Sequence, residues 1–347
     1  MLPPGRKAVV IASLLAASLT AGCLGDAERG NPVDPRSDNF RDAGSVVGSV
    51  VRESAPSEGI PGALLTLAPA AGGAALQTFA AGDGSFEFAN VPAGTWIAVA
   101  SRTGYSPDTT TVEITAGRLA PAMTFHLNAL PRITAQSVRS ERINRFFPDP
   151  GVFSQIIVEA TVLEPDGAAD LVAVDFVIPD FDNPSVLLFR DSLFAIPNTQ
   201  NLFRRVIPEE DLPVSIQDLL GRNLYIEARD RSGAVQRGSD THVVRIVEAI
   251  PETVFPQTTS DIVTVPFTLQ WQPLTLPYAF TWRIEVFFVP APGLEQPLPP
   301  VNSIPSSETE LTVSAVLPAG NYAWRVSAVD QFGNLARSRE AGFRLAG

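Results

Sequence analysis

Gly82-Asp83-Gly84-Ser85-Phe86-Glu87-Phe88-Ala89-Asn90-Val91-Pro92-Ala93-Gly94-Thr95-Trp96 gathers three glycines, two acids and two hydroxyls. In a phosphate-binding loop such residues bare backbone amides to an anion, and the glycines stand just before a helix whose N-terminal N–H groups face it. Here they lead into the alternating run Phe86-Glu87-Phe88, and the second part leads into another strand at Trp96. Asp83-Gly84 is a pair that supplies positive φ in a tight hairpin turn, so the glycines are expected to shape turns. Nitrogen and sulfur chemistry is scarce. The chain has two histidines, His126 and His242, and one cysteine, Cys23. A zinc site uses three or four protein ligands, and H-E-x-x-H, C-x-x-C and G-x-S-x-G are all absent. Glycosidases need only two carboxylates, so 37 acids leave that chemistry open, but small sandwich domains offer little room to bury the pair. Asp180, Asp182 and Asn183, and Asp166 with Asp170, could ligate calcium through oxygens; read as turns between strands, they need no ion. We expect no catalytic residues, no cofactor and no metal.

The cysteine has a more specific context. Arg6 and Lys7 precede an apolar and small-residue run from Ala8 to Leu19, which ends in Thr20-Ala21-Gly22-Cys23. A charged start, a short apolar stretch and small residues at the cut describe a secretory signal. The run is shorter than the ~18 apolar residues that spanning a membrane takes. Leu19-Thr20-Ala21-Gly22-Cys23 resembles the lipobox of bacterial lipoproteins, with Thr20 where leucine is commoner. The resemblance implies removal of residues 1–22 and lipidation of Cys23. Two or three acyl chains hold a protein to a membrane stably where one does not. Residue 24 is leucine rather than the aspartate associated with inner-membrane retention, which implies export and anchoring in the outer membrane. With Cys23 lipidated no thiol remains for a disulfide, and the folded part must rely on its cores.

Composition narrows the partners. A formal net charge of −12 repels both nucleic acid and anionic lipid surfaces, so membrane contact is expected through the lipid alone. Hydrophobic residues make up 45%, enough for real cores, and 31 prolines with 25 glycines punctuate the chain as many short strands require. Residues 23–43 are polar, charged and broken by Pro32 and Pro35, which predicts an extended tether.

Strand patterns fill the remainder. Ala63, Leu65 and Leu67 share a face, as do Phe86 and Phe88; Thr95 to Ala100 is apolar on both faces, as a central strand would be. We expect Ile97 and Val99 to join the core. Gly-Ser-Val-Val-Gly-Ser-Val, then Gly-Ile-Pro-Gly-Ala-Leu-Leu-Thr-Leu, then the opening stretch, then Arg102-Thr103-Gly104-Tyr105 onward look like the carboxypeptidase regulatory-like domain over residues 44–129. That resemblance implies a transthyretin-like β-sandwich without catalytic residues. Over residues 130–249, Ile156, Val158, Ala160 and Val162 alternate with polar residues except at Ile157, and Leu224, Ile226 and Ala228 alternate likewise. A short helix is considered between Pro208 and Leu220, and a last strand around His242. This region resembles an immunoglobulin-like sandwich. Over residues 250–347, Phe267, Leu269 and Trp271 share a face, then Trp282, Ile284 and Val286, then Tyr322, Trp324, Val326 and Ala328. Phe-Thr-Leu-Gln-Trp and Gly320-Asn-Tyr-Ala-Trp-Arg-Val-Ser-Ala-Val-Asp330 are similar to fibronectin type III-like domains, with Tyr322 and Trp324 as core residues.

The expected architecture is therefore all-β: three tandem β-sandwich domains after a signal peptide and extended tether. The expected function is a non-catalytic cell-envelope lipoprotein that binds or scaffolds a glycan or an envelope protein. Alternatives are an accessory lipoprotein of an outer-membrane transport or secretion complex, and a hydrolase accessory subunit.

Overall fold

The computed structural model describes residues 36–37, 42–146 and 150–347. The expected signal peptide, Cys23 and most of the expected tether lie outside the described residues. Among those described there is no α-helix, only a 3-10 turn at Glu209–Asp211, and no helix is long and apolar enough to cross a membrane.

Alternation of apolar and polar residues puts one face of most strands inward, and three separate cores result. Each core with the strands that wrap it forms a module. The first comprises β1 (Ala43–Arg52), β2 (Leu64–Pro69), β3 (Leu76–Phe79), β4 (Ser85–Pro92), β5 (Gly94–Ser101), β6 (Asp108–Ile114) and β7 (Met123–Leu127). They make two sheets, ordered β4-β1-β7 and β3-β2-β5-β6. Phe86, Phe88 and Phe125 fill the space between them, with ring centroids about 6 Å apart. Burying each such ring fully contributes about 1.5–3 kcal/mol.

The Gly82–Ser85 turn does not join a hairpin. It carries the chain from β3 in one sheet to β4 in the other. Gly84 serves close approach as well as positive φ. Gly84 has φ +83°, and a Cβ there would meet the Val50 carbonyl oxygen at 2.4 Å and Gly59 Cα at 2.8 Å. Both obstacles are backbone, so neither can swing aside. Gly84→Ala is expected to destabilise the first module by about 2–4 kcal/mol, measured as a lowered denaturation midpoint. A second correction concerns β5. Trp96, Ala98 and Ala100 face the core, while Ile97 is 39% exposed. The Trp96 ring fills the interior, and its Nε1 donates to the Pro92 carbonyl at 2.9 Å.

The second module comprises β8 (Arg132–Arg145), β9 (Gly151–Leu163), β10 (Leu171–Pro179), β11 (Leu187–Ser192), β12 (Phe194–Ala195), β13 (Leu202–Pro208), β14 (Tyr225–Asp230) and β15 (Val235–Arg237). Its core lies between the four-stranded sheet β11-β10-β14-β15 and the row β12-β13-β9-β8. The region after Pro208 forms the single 3-10 turn and further turns rather than a continuing helix, with Ile216 and Leu219 packed into the core. Around His242 there are isolated bridges to Leu220 and Leu224, not a strand.

The third module adds β16 (Thr253–Phe255), β17 (Ile262–Val263), β18 (Phe267–Trp271), β19 (Phe280–Ala291), β20 (Leu294–Pro297), β21 (Val301–Pro305), β22 (Glu310–Val313), β23 (Gly320–Asp330), β24 (Leu335–Arg337) and β25 (Ala341–Leu345). Trp271, Trp282, Tyr322 and Trp324 are at most 2% exposed, which places the aromatic residues in the core. Tyr322 stacks on Phe343 with centroids 5.0 Å apart.

The modules are not independent beads. β24 of the third pairs in parallel with β8 of the second, Leu335 opposite Glu141 and Arg337 opposite Ile143. The row β12-β13-β9-β8-β24-β23-β19-β20 thereby runs through both modules within one 11-stranded sheet.

Candidate functional site

A single hairpin chemistry recurs where the modules meet. Ala228-Arg229-Asp230-Arg231-Ser232-Gly233 ends β14, and Ala328-Val329-Asp330-Gln331-Phe332-Gly333 ends β23. In each, the aspartate oxygen takes the backbone N–H four residues on, at 2.8 Å for Ala234 and 2.9 Å for Asn334. A glycine with φ near +84° closes each turn, Gly233 at +85° and Gly333 at +83°. The other oxygen of each aspartate reaches the preceding segment. Asn128 Nδ2 donates to Asp230 Oδ2 at 2.7 Å, and Arg245 Nη1 donates to Asp330 Oδ2 at 3.1 Å. Asn334 Oδ1 additionally accepts the Ser140 N–H at 2.9 Å. Asp230 and Asp330 are 2% and 5% exposed. A buried, charge-assisted hydrogen bond is strong and directional, so each joint is held in one geometry.

The shared sheet carries a charged cleft of about 530 Å³ on one face. Period-2 alternation aligns side chains from six strands. Arg204 lies on β13, Ile157 on β9, Arg139 and Glu141 on β8, Arg337 on β24 and Arg325 on β23, with Arg283 and Glu285 beyond on β19. Ile157, which interrupts the polar face of its strand, is 2% exposed and floors this cleft. Five arginines and two glutamates line it, a local reversal of the acidic balance of the chain. Arg139 grips Glu159 with both guanidinium nitrogens, at 2.7 and 3.2 Å, and holds that carboxyl below its ordinary range. Burial pushes the Glu285 carboxyl up, yet Arg325, Arg283 and Arg337 together bring it below its ordinary value. Burial and the like charge of Arg325 lower Arg337, against the pull of Glu285, Glu141 and Glu340. Forked guanidinium donors around a cleft suit carboxylate or other oxyanion groups of a ligand.

Glu285 provides a pH test. Its folded value is depressed, so its contribution is complete above the ordinary 4.5 and is lost as pH falls from there through the lower folded value. The side chain is 17% exposed and takes Arg325 Nε at 3.0 Å. Glu285→Gln is expected to remove roughly 1–2 kcal/mol at neutral pH and to flatten that acid limb, measured by urea denaturation across pH.

The other residues with metal or catalytic potential scatter. His126 is exposed, and His242 meets the Arg222 carbonyl at 3.2 Å in a different module. Asp180 Oδ1 takes the N–H groups of Asp182 and Asn183, both at 2.9 Å, which is turn chemistry. Asp166 and Asp170 differ: Glu164 joins them, and one carboxylate oxygen of each lies within 4.8 Å of the others. Burial first, then neighbouring acids, raise Glu164 and Asp170 above their ordinary values, with the Asp166 N–H opposing at Glu164 and Arg231 at Asp170. Spacing alone conceals the arginine row, because its members come from five strands of two modules. The repeated Ala-x-Asp-x-x-Gly was the available signal for the joints.

Residues 45–128 match the family model of the carboxypeptidase regulatory-like domain. No curated protein matches the chain. Among solved structures, the Bacillus anthracis TIE protein is similar at 10% identity and TM-score 0.26, covering 88% of this chain and 49% of its own. The chain thus spans about half the length of that protein. The chicken CNTN1 FN1–FN3 domains are similar at 11% identity and TM-score 0.31, covering 88% of this chain and 99% of theirs. Fibronectin(III)-like modules of Clostridium thermocellum CbhA are similar at 15% identity and TM-score 0.28, covering 62% and 93%.

Proposed function

We propose that this chain is a non-catalytic scaffold of the cell envelope, exported by the signal at residues 1–22 and lipid-anchored at Cys23, with the outer membrane as its site. Residues 23–43 form the tether, and the modules divide after residues 129 and 249. The observation that carries this reading is the pair of buried polar joints, Asn128–Asp230 and Arg245–Asp330. A chain that only needed to link domains would be served by flexible linkers; locked joints hold a binding face at a fixed attitude. The arginine-lined cleft supports an acidic partner, either an acidic glycan or an acidic patch of an envelope protein. Glu285 and Glu159 are engaged by arginines, which suits recognition better than acid–base work.

A glycan array with neutral and acidic sugars, run beside crosslinking in intact cells, tests the reading. We expect a bound acidic glycan or one crosslinked envelope protein, and a loss of at least about tenfold on Arg204→Glu. Hydrolysis of a substrate panel that disappears on replacing a carboxylate pair would overturn it. Palmitate labelling that persists in Cys23→Ala would overturn the anchor.

A further inference from the structure

The joint between the first and second modules contains more negative charge than its neighbours satisfy. Glu164 is 7% exposed. Its Oε1 takes the Asp166 N–H at 3.1 Å, while its Oε2 is buried without any hydrogen-bond partner. A buried carboxylate oxygen with nothing bound to it is costly unless the group is neutralised or ligates a cation. The cations nearby do not reach it. Arg52 Nε stands 3.9 Å from Asp166 Oδ1, and this guanidinium also serves Glu58 and Tyr105. Arg231 acts on Asp170. Meanwhile Asp230 adds a further buried carboxylate beside the trio.

We propose that Glu164, Asp166 and Asp170 bind a calcium ion at this joint, with the orphaned Glu164 oxygen as a ligand. One oxygen from each residue lies within 4.8 Å of the others, so small side-chain rotations bring all three to the 2.3–2.6 Å typical of calcium–oxygen bonds around a single ion. The donors are all hard oxygens with no sulfur or imidazole among them, which favours calcium over zinc. An irregular set on a turn closed by Gly167, at φ +109°, suits the flexible coordination of calcium better than the octahedron of magnesium.

The position gives the ion a mechanical consequence. Asp166 already receives Ser54 Oγ at 2.6 Å and the Ala129 N–H at 2.8 Å from the first module. The Asp170 carbonyl receives the Arg231 N–H at 2.9 Å, next to the Asp230 that holds Asn128. An ion there ties three carboxylates of one module at the point where the other module is bound, and so tightens the joint.

Calorimetric titration of the purified full-length chain with calcium chloride, with magnesium chloride in parallel, tests this. One ion per chain is expected, with a dissociation constant of about 10⁻⁵–10⁻³ M, weaker magnesium binding, and a calcium-dependent rise in Tm. Glu164→Gln and Asp170→Asn should each weaken calcium by at least about tenfold. Asp170 is only partly buried, so its variant keeps its fold, which circular dichroism verifies. Titration heats no larger than dilution, or wild-type calcium binding that both variants retain, would overturn the proposal. The test is independent of the partner of the arginine cleft.

Discussion

Replacing Trp324 with alanine is expected to destabilise the third module by about 3–5 kcal/mol, the range for deleting a buried large aromatic ring. The side chain is 0% exposed and stands in a core built with Trp282, Ile284 and Phe343. Its surroundings are backbone-paired strands: β23 is bonded to β19 on one side and to β24 and β25 on the other. Little of the resulting cavity can collapse, which places the cost toward the upper part of the range. The indole also donates to the Pro256 carbonyl at 2.9 Å. Trp324→Phe should separate the two contributions. It keeps most of the ring but leaves that carbonyl without its donor, and should cost less than alanine by about 1–2 kcal/mol or more. Urea denaturation followed by tryptophan fluorescence measures both. Equal losses for the two variants would mean that the hydrogen bond, not the packing, carries the effect.

Asp330→Ala is expected to cost about 3–5 kcal/mol, the range for breaking a buried ion pair by removing one partner. Its side chain is fully buried against Arg245, which is 27% exposed. Its Oδ1 also takes the N–H groups of Phe332 and Asn334, both at 2.9 Å, and its Oδ2 takes Asn334 Nδ2 at 3.1 Å. Removal therefore orphans a guanidinium and loosens the turn that starts β24. Since β24 is the strand that pairs with β8, damage to this turn spreads into the joint. Asp330→Asn should recover part of the loss, because it can still accept from the turn amides while losing the charge. Protease cleavage near Asn334 that rises in the alanine variant and falls back in the asparagine variant would report the joint directly.

The strands were legible wherever one face is polar. Phe86 and Phe88 point inward with Ser85 and Glu87 out, and Ile156, Val158, Ala160 and Val162 all lie in the core, as their alternation requires. The pattern failed at β5, where both faces are apolar and a period of two cannot choose between them. Volume decided: Trp96 fills the interior with Ala98 and Ala100 beside it, and Ile97 turns outward. Gly84 was recognised as a positive-φ position, but whether a turn closes a hairpin or crosses between sheets depends on pairing partners distant in sequence. The segment after Pro208 has helical turn chemistry, yet Pro213 interrupts it, and the chain forms a single 3-10 turn and further turns. Of the candidate sites, Asp166 and Asp170 stood out by type. Glu164 did not, since its decisive property is an unpartnered buried oxygen, and that exists only after folding.

The claim on which the proposed scaffold rests is that the joints hold the modules as one body. Rotational correlation times of the backbone amides, obtained module by module from nuclear magnetic relaxation, test it most directly. A single common time for all three modules, the value for a body of the whole folded mass, is the predicted result; shorter and unequal times for the separate modules would contradict it.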